Sequence, residues 1–474
     1  MRIPTSWISC IVAPFLFRGR AAAFRPETSA VSWKEPKRYL WLLAALVPAL
    51  VFASWLGVRV TGLSAFWWAG PILAFGVIPV VDHLIGRDAD NPPESVLAWL
   101  ENDPFYRWAT YLYLPNQYLS LLFACCLWSD DGMHTLSFLD ELGLMATVGL
   151  SGGLAINAAH ELGHTRARAE RRLSKVALAQ TCYGHFFVEH NRGHHVRAAT
   201  AEDPASARLR ESLYAFMPRS VIGSVRSAWR LEAARLAGIG KSRWTLSNEV
   251  LNAWLLSVAL FTVLTVWFGP VVLPWLIGQA IIGFCLLETV NYIEHYGLRR
   301  QKLSNGRYER VRPAHSWNSS TVIASVLLFH LQRHSDHHAN PLRSYQALRN
   351  VDEAPQLPSG YSAMLLLAMF PPLWRRVMDP RVLDFYRGDI RLAALKPRDA
   401  NRWVASFEAL SSNAPTDSPV LADGPSSRGL RPESSGNRHR GGPAARRGCL
   451  VQRSGRTPPP QCGRLRGSSK GDGR

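Results

Sequence analysis

None of the seven cysteines (Cys10, Cys125, Cys126, Cys182, Cys285, Cys449, Cys462) has the spacing of a disulfide framework or of a CxxC metal pair. Several lie in apolar stretches and read as small buried hydrophobes, which excludes a disulfide-stapled scaffold. Acid is scarce too, with 35 Asp and Glu against 54 Lys and Arg and a net charge of +19. The position of that excess argues against a nucleic-acid partner. Residues 413–474 hold 12 Lys/Arg and 4 Asp/Glu, so 8 of the 19 charges belong to a tail almost without large apolar residues. The remainder sits in polar segments beside apolar blocks, where Lys and Arg mark cytoplasmic loops. There is no internal repeat.

Long apolar runs dominate the first 300 positions. Six segments approach the roughly 20 residues needed to span a bilayer: 39–58, 62–85, 108–129, 141–160, 250–269 and 271–295. The pattern predicts an all-α, polytopic membrane protein with six transmembrane helices in three hairpins. The turn at 59–61, the acidic Asp130–Glu141 segment and the Gly269-Pro270 junction fall on one side. Arg87–Arg107, the Arg-rich stretch from Arg166 to Arg243, and everything after His295 fall on the other. The positive-inside rule makes that second side cytoplasmic, together with the N-terminus. Beyond His295 the chain is polar with isolated apolar pieces, Thr321–His330 and Met364–Trp374, and a helical cytoplasmic cap is expected. Residues 1–30 read as a leader of unknown role, residues 31–410 as the membrane domain. Residues 411–474 read as a disordered basic tail, since Ser, Gly, Pro and Arg cannot bury a core. The apolar run Trp7–Phe17 with Arg18, Arg20 and Ala21–Ala23 looks like a weak signal peptide, and cleavage is not expected.

Nine of the 15 histidines form a pattern. His160-Glu-Leu-Gly-His164 closes the fourth span, and its i, i+4 spacing places both imidazoles on one helix face. In His190-Asn-Arg-Gly-His194-His195 the consecutive histidines diverge by about 100° on a helix and suit two different ions. In His334-Ser-Asp-His337-His338 the three rings fall within an arc of about 100°. His295 ends the sixth span, and on the expected topology all four groups share one membrane face. Nine neutral imidazoles exceed the four ligands of one tetrahedral zinc and suit two redox-active first-row ions with open positions, iron foremost. The adjacent acids Glu161, Glu189, Glu294 and Asp336 either orient imidazoles through the second ring nitrogen or are solvated neighbours. His160-Glu-Leu-Gly-His164 also fits the HExxH motif of a zinc protease, a reading that leaves the other two boxes unexplained.

From about Tyr39 to Trp403 the chain resembles the integral-membrane alkane hydroxylases (alkane 1-monooxygenases) of the histidine-box fatty acid desaturase/hydroxylase superfamily. The resemblance rests on Asn91-Pro-Pro-Glu94, His160 to His164, Gly184-His-Phe-Phe187, Glu189 to His195, Glu202-Asp-Pro-Ala205, Asn291-Tyr-Ile-Glu-His-Tyr-Gly297, His315-Ser-Trp-Asn318 and Leu331-Gln-Arg-His-Ser-Asp-His-His338. It implies a non-haem di-iron centre on His160, His164, His190, His194, His195, His295, His334, His337 and His338. It further implies O2 as co-substrate and electrons from a rubredoxin with its NADH-dependent reductase. The activity implied is hydroxylation of the terminal methyl of medium- or long-chain n-alkanes at the bacterial inner membrane, with the active site on the cytoplasmic side. Ser320 replaces the asparagine that usually closes the HSWNSN string, a change expected to matter little. Cys449 and Cys462 cannot supply a fused rubredoxin's CxxC pairs, so the donor acts in trans. Arg166, Arg168, Arg171 and Arg172 could attract an acidic donor, although a topology signal or contact with anionic membrane lipid is the favoured reading.

An alkane offers no polar handle, so an apolar channel must select it. The second span supplies Phe66, Trp67, Trp68, Leu73, Ala74, Phe75 and Val77 for its wall. Ala74, small amid bulky neighbours, predicts a deep channel that admits chains longer than about ten carbons. The competing readings are a histidine-box fatty-acid desaturase or hydroxylase, an aromatic-methyl monooxygenase and, remotely, the metalloprotease.

Overall fold

The computed structural model describes residues 35–129, 136–396, 401–403 and 405. The leader at 1–30, the tail at 411–474, the first half of the acidic segment after the third span, and Cys10, Cys449 and Cys462 lie outside the described residues. Among the described residues there is no β-strand; helices and loops form the whole architecture. Five helices are long and apolar enough to cross a membrane: α1 (Leu42–Thr61), α2 (Ser64–Ile85), α4 (Phe138–His164), α8 (Glu249–Phe268) and α9 (Pro270–His295). The sixth expected span is the 25-residue helix α3 (Pro104–Trp128). It is long enough to span at 1.5 Å per residue, but Arg107, Asn116, Gln117 and four tyrosines make it more polar than the rest. Between the spans and after them come α5 (Arg168–Ala179), α6 (186–197), α7 (Leu213–Ala237), α10 (His334–Ala339), α11 (Tyr361–Ala368) and α12 (Pro371–Phe385).

Local chemistry moves two boundaries from their expected places. Asp103 caps α3 by accepting from the Phe105 amide at 2.9 Å, so that helix begins at 104 and not 108. Ser137 and Asp140 form a reciprocal capping box, which starts α4 at 138, and the helix runs one turn past His160. Helix α4 is the centre of the molecule: 78% of its apolar window is buried, against 11–33% for the other four spans. Its glycines explain how a helix can be so enclosed. A Cβ on Gly153 would lie 2.7 Å from Leu286 and 3.0 Å from the Gly283 carbonyl, and one on Gly149 would lie 2.7 Å from Ile282. This small-x-x-x-small stripe brings the backbones of α4 and α9 together, so the histidines at their ends meet. Large apolar side chains on outer faces, such as Leu84, Val266 and Trp267, remain exposed, as lipid contact requires.

Candidate metal centre

Three local geometries sort nine histidines into two groups. His160 and His164 share a face of the last turns of α4. The second box is a π-turn, His190–His194, whose i→i+5 bonding widens the helix. His190 and His195 thereby come together, Nε2 to Nε2 at 3.0 Å, while His194 points elsewhere. The six-residue α10 splits the third box, sending His337 one way and His334 and His338 the other. Group one is therefore His160, His164, His190, His195 and His337; group two is His194, His295, His334 and His338. Within each group the ligand atoms all lie within 4.8 Å of one another.

The donor atoms fit bound cations. In group one, His160–His337, His164–His190, His190–His195 and His195–His337 bring Nε2 atoms within 2.9, 3.0, 3.0 and 3.1 Å. In group two, His334–His338, His194–His338 and His295–His334 do so at 2.9, 3.1 and 3.3 Å. Imidazole nitrogens ringed this closely cannot all be donors and acceptors to one another. Nitrogens about 2.1 Å from a shared ion and at right angles are about 3.0 Å apart, which matches the separations here. Burial pushes His190, His195, His334, His337 and His338 well below the usual imidazole range, reinforced by neighbouring imidazoles, so these rings are neutral with a free lone pair.

The carboxylates do not act alike. Glu161 Oε1 lies 3.4 Å from His160 Nδ1, too far for a good hydrogen bond. Glu189 faces Arg197 at 2.7 Å, and Asp336 faces Arg343 at 2.7 Å. Neither touches an imidazole, and neither is solvated, because a buried carboxylate requires a cation and arginine supplies it. A Cβ on Gly193 would collide with that Glu189–Arg197 pair at 2.5 Å. Glu294 lies on the metal side: its Oε2 is 3.1 Å from His334 Nε2, while its Oε1 accepts from the Tyr361 hydroxyl at 2.9 Å. The residue that sits behind a ring is Asp203, which sequence reasoning gave no role. Its Oδ2 accepts from His194 Nδ1 at 3.0 Å and from Ser206 at 2.6 Å. Burial works against the His194 cation, but Asp203 more than offsets it and raises that imidazole; in return Asp203 is held down to about 2. The signal was present only as the Glu202-Asp-Pro-Ala205 string, nine residues from its partner. Likewise, the His295 Nδ1–H donates to the His315 carbonyl at 3.2 Å.

The remaining motif residues fasten the third box. Buried Arg333 donates to the carbonyls of Leu348, Asp90 and Asp88 at 2.7, 2.9 and 3.2 Å. Asn318 clasps Ser335 twice, at 2.7 and 2.9 Å, and Asn91 accepts from the Asn350 amide at 2.7 Å. Ser320, the departure from the family string, donates to the Asn350 side chain at 3.0 Å.

The fold also holds an apolar cavity of about 430 Å³. Leu73, Ala74, Phe75 and Val77 line it, whereas Phe66, Trp67 and Trp68 do not. Trp67 is buried in the helix packing, and the space above Gly57 and Gly143 is filled by Phe66 and Trp68. Leu73–Val77 is a π-turn, so both π segments of the chain's described part occur at the wall and the roof of one site. Asn157 and Leu331, each three residues before a histidine of the centre, also line the cavity, although none of the nine histidines does.

Comparison with known proteins agrees with this geometry. Residues 141–367 match the fatty acid desaturase family model. The chain is 44% identical to the alkane 1-monooxygenase of Acinetobacter baylyi over 80% of this chain and 93% of that protein. It is 43% identical to alkane 1-monooxygenase 1 of Alcanivorax borkumensis over 82% and 96%. With the xylene/toluene monooxygenase hydroxylase component of Pseudomonas putida the identity is 28% over 72% and 88%.

Proposed function

Because the chain belongs to the alkane 1-monooxygenase family, we propose that it hydroxylates the terminal methyl of medium- or long-chain n-alkanes at two iron ions held by the nine grouped histidines. The observation that carries this reading is the pairing of two imidazole groups with an apolar cavity whose lining includes Asn157 and Leu331, each three residues before a histidine of those groups. When bound, the irons supply dioxygen activation and C–H oxidation. The chain supplies the rest. Group one, whose His164 and His195 are partly exposed, is the side on which electrons arrive; group two is wholly buried. Asp203 and the His315 carbonyl fix the ring orientation of His194 and His295. The cavity wall holds an alkane by shape and excludes water from the reacting methyl.

The electron donor in this reading is a rubredoxin acting in trans with an NADH-dependent reductase, at the cytoplasmic face of a bacterial inner membrane. Positive loops support that orientation, with α5 carrying Arg168, Arg171 and Arg172 beside the centre. Ala74 sets how far an alkane reaches, since a larger side chain there would shorten the cavity it lines. The test is to measure iron and zinc per chain in purified protein, then to supply NADH, reductase, rubredoxin and dodecane and assay for 1-dodecanol. Iron with alcohol formation is the expected result. Iron without alcohol moves the substrate to acyl lipids or aromatic methyls, and zinc alone overturns the mechanism.

A further inference from the structure

The Gly184-His-Phe-Phe187 string supplies no ligand to the two groups, yet one of its rings touches them. Among the described residues, Phe186 is the only ring outside the nine histidines in contact with one of them, stacked on His190 at 4.7 Å between centroids. From Phe186 a line of rings leads outward. Tyr183 lies at 6.4 Å, His185 at 4.3 Å from Tyr183, then Trp254 at 6.4 Å, Trp229 at 6.0 Å and Trp244 at 5.0 Å, each from the ring before it. Gly184 lets the line cross between elements: a Cβ there would lie 2.6 Å from Ala253, so α8 passes close enough to set Trp254 against His185. Tyr183 is buried, Trp229 and Trp254 are half-buried, and Trp244 is 67% exposed in the Arg-rich loop before α8, so the line joins a buried ligand to the surface. Burial holds His185 down to about 3, which makes it a neutral spacer. Tyr183 also has a base: its hydroxyl donates to Glu288 Oε1 at 2.5 Å, the length of an O–H bonded to a carboxylate. Burial first, and that carboxylate second, push the phenol well above its usual value, so it keeps its proton at rest. Phenol and indole rings have no accessible reduced state, and this line therefore cannot carry the low-potential electrons that start turnover. It can give electrons only to a centre more oxidising than a phenol.

We propose that these rings are an escape route for oxidising equivalents: when dioxygen has been reduced and no alkane is in place, Tyr183 gives one electron through Phe186 and His190 to the centre. This rests on the reading of the two groups as an iron centre. The Tyr183 phenol becomes a neutral tyrosyl radical, its proton passes to Glu288, and one electron reaches the centre. Trp254 then returns an electron to Tyr183, Glu288 returns the proton, and the electron vacancy moves through Trp229 to Trp244. There a cytoplasmic thiol supplies the electron and leaves as a thiyl radical and a proton. Oxidation ends at an exposed ring and not at the ligands. With an alkane in place its C–H bond consumes the oxidising equivalent, and the line stays idle.

The test follows radicals and oxidised side chains in iron-loaded protein. Wild type, Tyr183→Phe and Trp229→Phe receive reduced rubredoxin and dioxygen, without alkane or thiol, and are frozen at intervals for electron paramagnetic resonance. Ring-deuterated tyrosine identifies the signal. Wild type is expected to show a tyrosyl radical, which Tyr183→Phe lacks and Trp229→Phe holds severalfold longer. Peptide mass spectrometry should find hydroxylated tryptophan at Trp244 in wild type, and in Trp229→Phe at Trp254 together with oxidised Tyr183 and His190. With saturating dodecane, wild type and Trp229→Phe should form 1-dodecanol at the same rate; a role in packing alone would leave the radical lifetime and the oxidation map unmoved. No radical in wild type, an unchanged signal in Tyr183→Phe, or the same oxidised residues in Trp229→Phe overturns the inference. Should Tyr183→Phe fail to fold, the oxidation map of Trp229→Phe decides. Formation of 1-dodecanol without any radical sinks the escape route alone, whereas a chain that holds no iron sinks the metal reading first.

Discussion

The roof and the chamber of this site are held in opposite ways. Over the roof, directional bonds hold part of the frame: Asp203 on His194, the His315 carbonyl on His295, Arg333 on three carbonyls, Asn318 on Ser335; Nδ1 of His160, His190, His195, His334, His337 and His338 has no hydrogen-bond partner among the described residues. In the chamber, Leu73, Phe75, Val77 and their neighbours have only shape. Directional bonds fix ions to fractions of an ångström, whereas an apolar wall fixes only length and width. Changes in the roof should therefore affect every substrate equally, and changes in the chamber should discriminate among chain lengths.

Five substitutions test that contrast, beginning with the largest effect. His337→Ala removes a ligand from the middle of group one; metal per chain should fall, and activity on octane, dodecane and hexadecane should drop together by more than about 100-fold, beyond the cost of disturbing an orienting neighbour. Selective survival of one chain length would contradict the contrast. Asp203→Asn keeps the shape but weakens the hold on His194, and metal affinity by titration should fall about 10–100-fold. Ala74→Trp should leave metal content unchanged and lose long alkanes by about tenfold or more relative to short ones, because each unaccommodated methylene costs about 1–3 kcal/mol. An unaltered chain-length profile in that variant would remove Ala74 from the wall. Gly153→Val, at the α4–α9 contact, should lower stability in detergent by about 1–3 kcal/mol through overpacking, measured as the thermal midpoint. Ser320→Asn restores the family string at a residue whose hydroxyl donates to the Asn350 side chain, and should move neither activity nor stability by more than about 0.5 kcal/mol.

Much of this was legible along the chain because hydrophobic length and histidine spacing are local signals. The spans at 62–85, 250–269 and 271–295 coincide with helices to within a few residues, since a run of apolar side chains in lipid can satisfy its backbone only as helix. Asp103 and Ser137 moved two starts because caps act through one side chain that a hydropathy window averages away. The 25-residue α7 was hidden in an Arg-rich stretch read only as a loop between spans. Glu189 and Asp336 beside their histidines suggested imidazole partners; arginines at 197 and 343 took both instead.

The sequence by itself determined the helical class, the number and kind of possible ligands, and the membrane setting, because those depend on residue type and on spacing within a few turns. Only the tertiary structure decided which ring joins which group. The π-turn at His190–His194 separates adjacent histidines, and α10 divides a box that looks like one unit. It also decided that Asp203 and not Glu189 orients His194, and that Glu294 approaches His334 from the metal side. Each of those depends on the approach of elements 9 to 177 residues apart, which is set by glycine contacts, buried ion pairs and packing that no local pattern encodes.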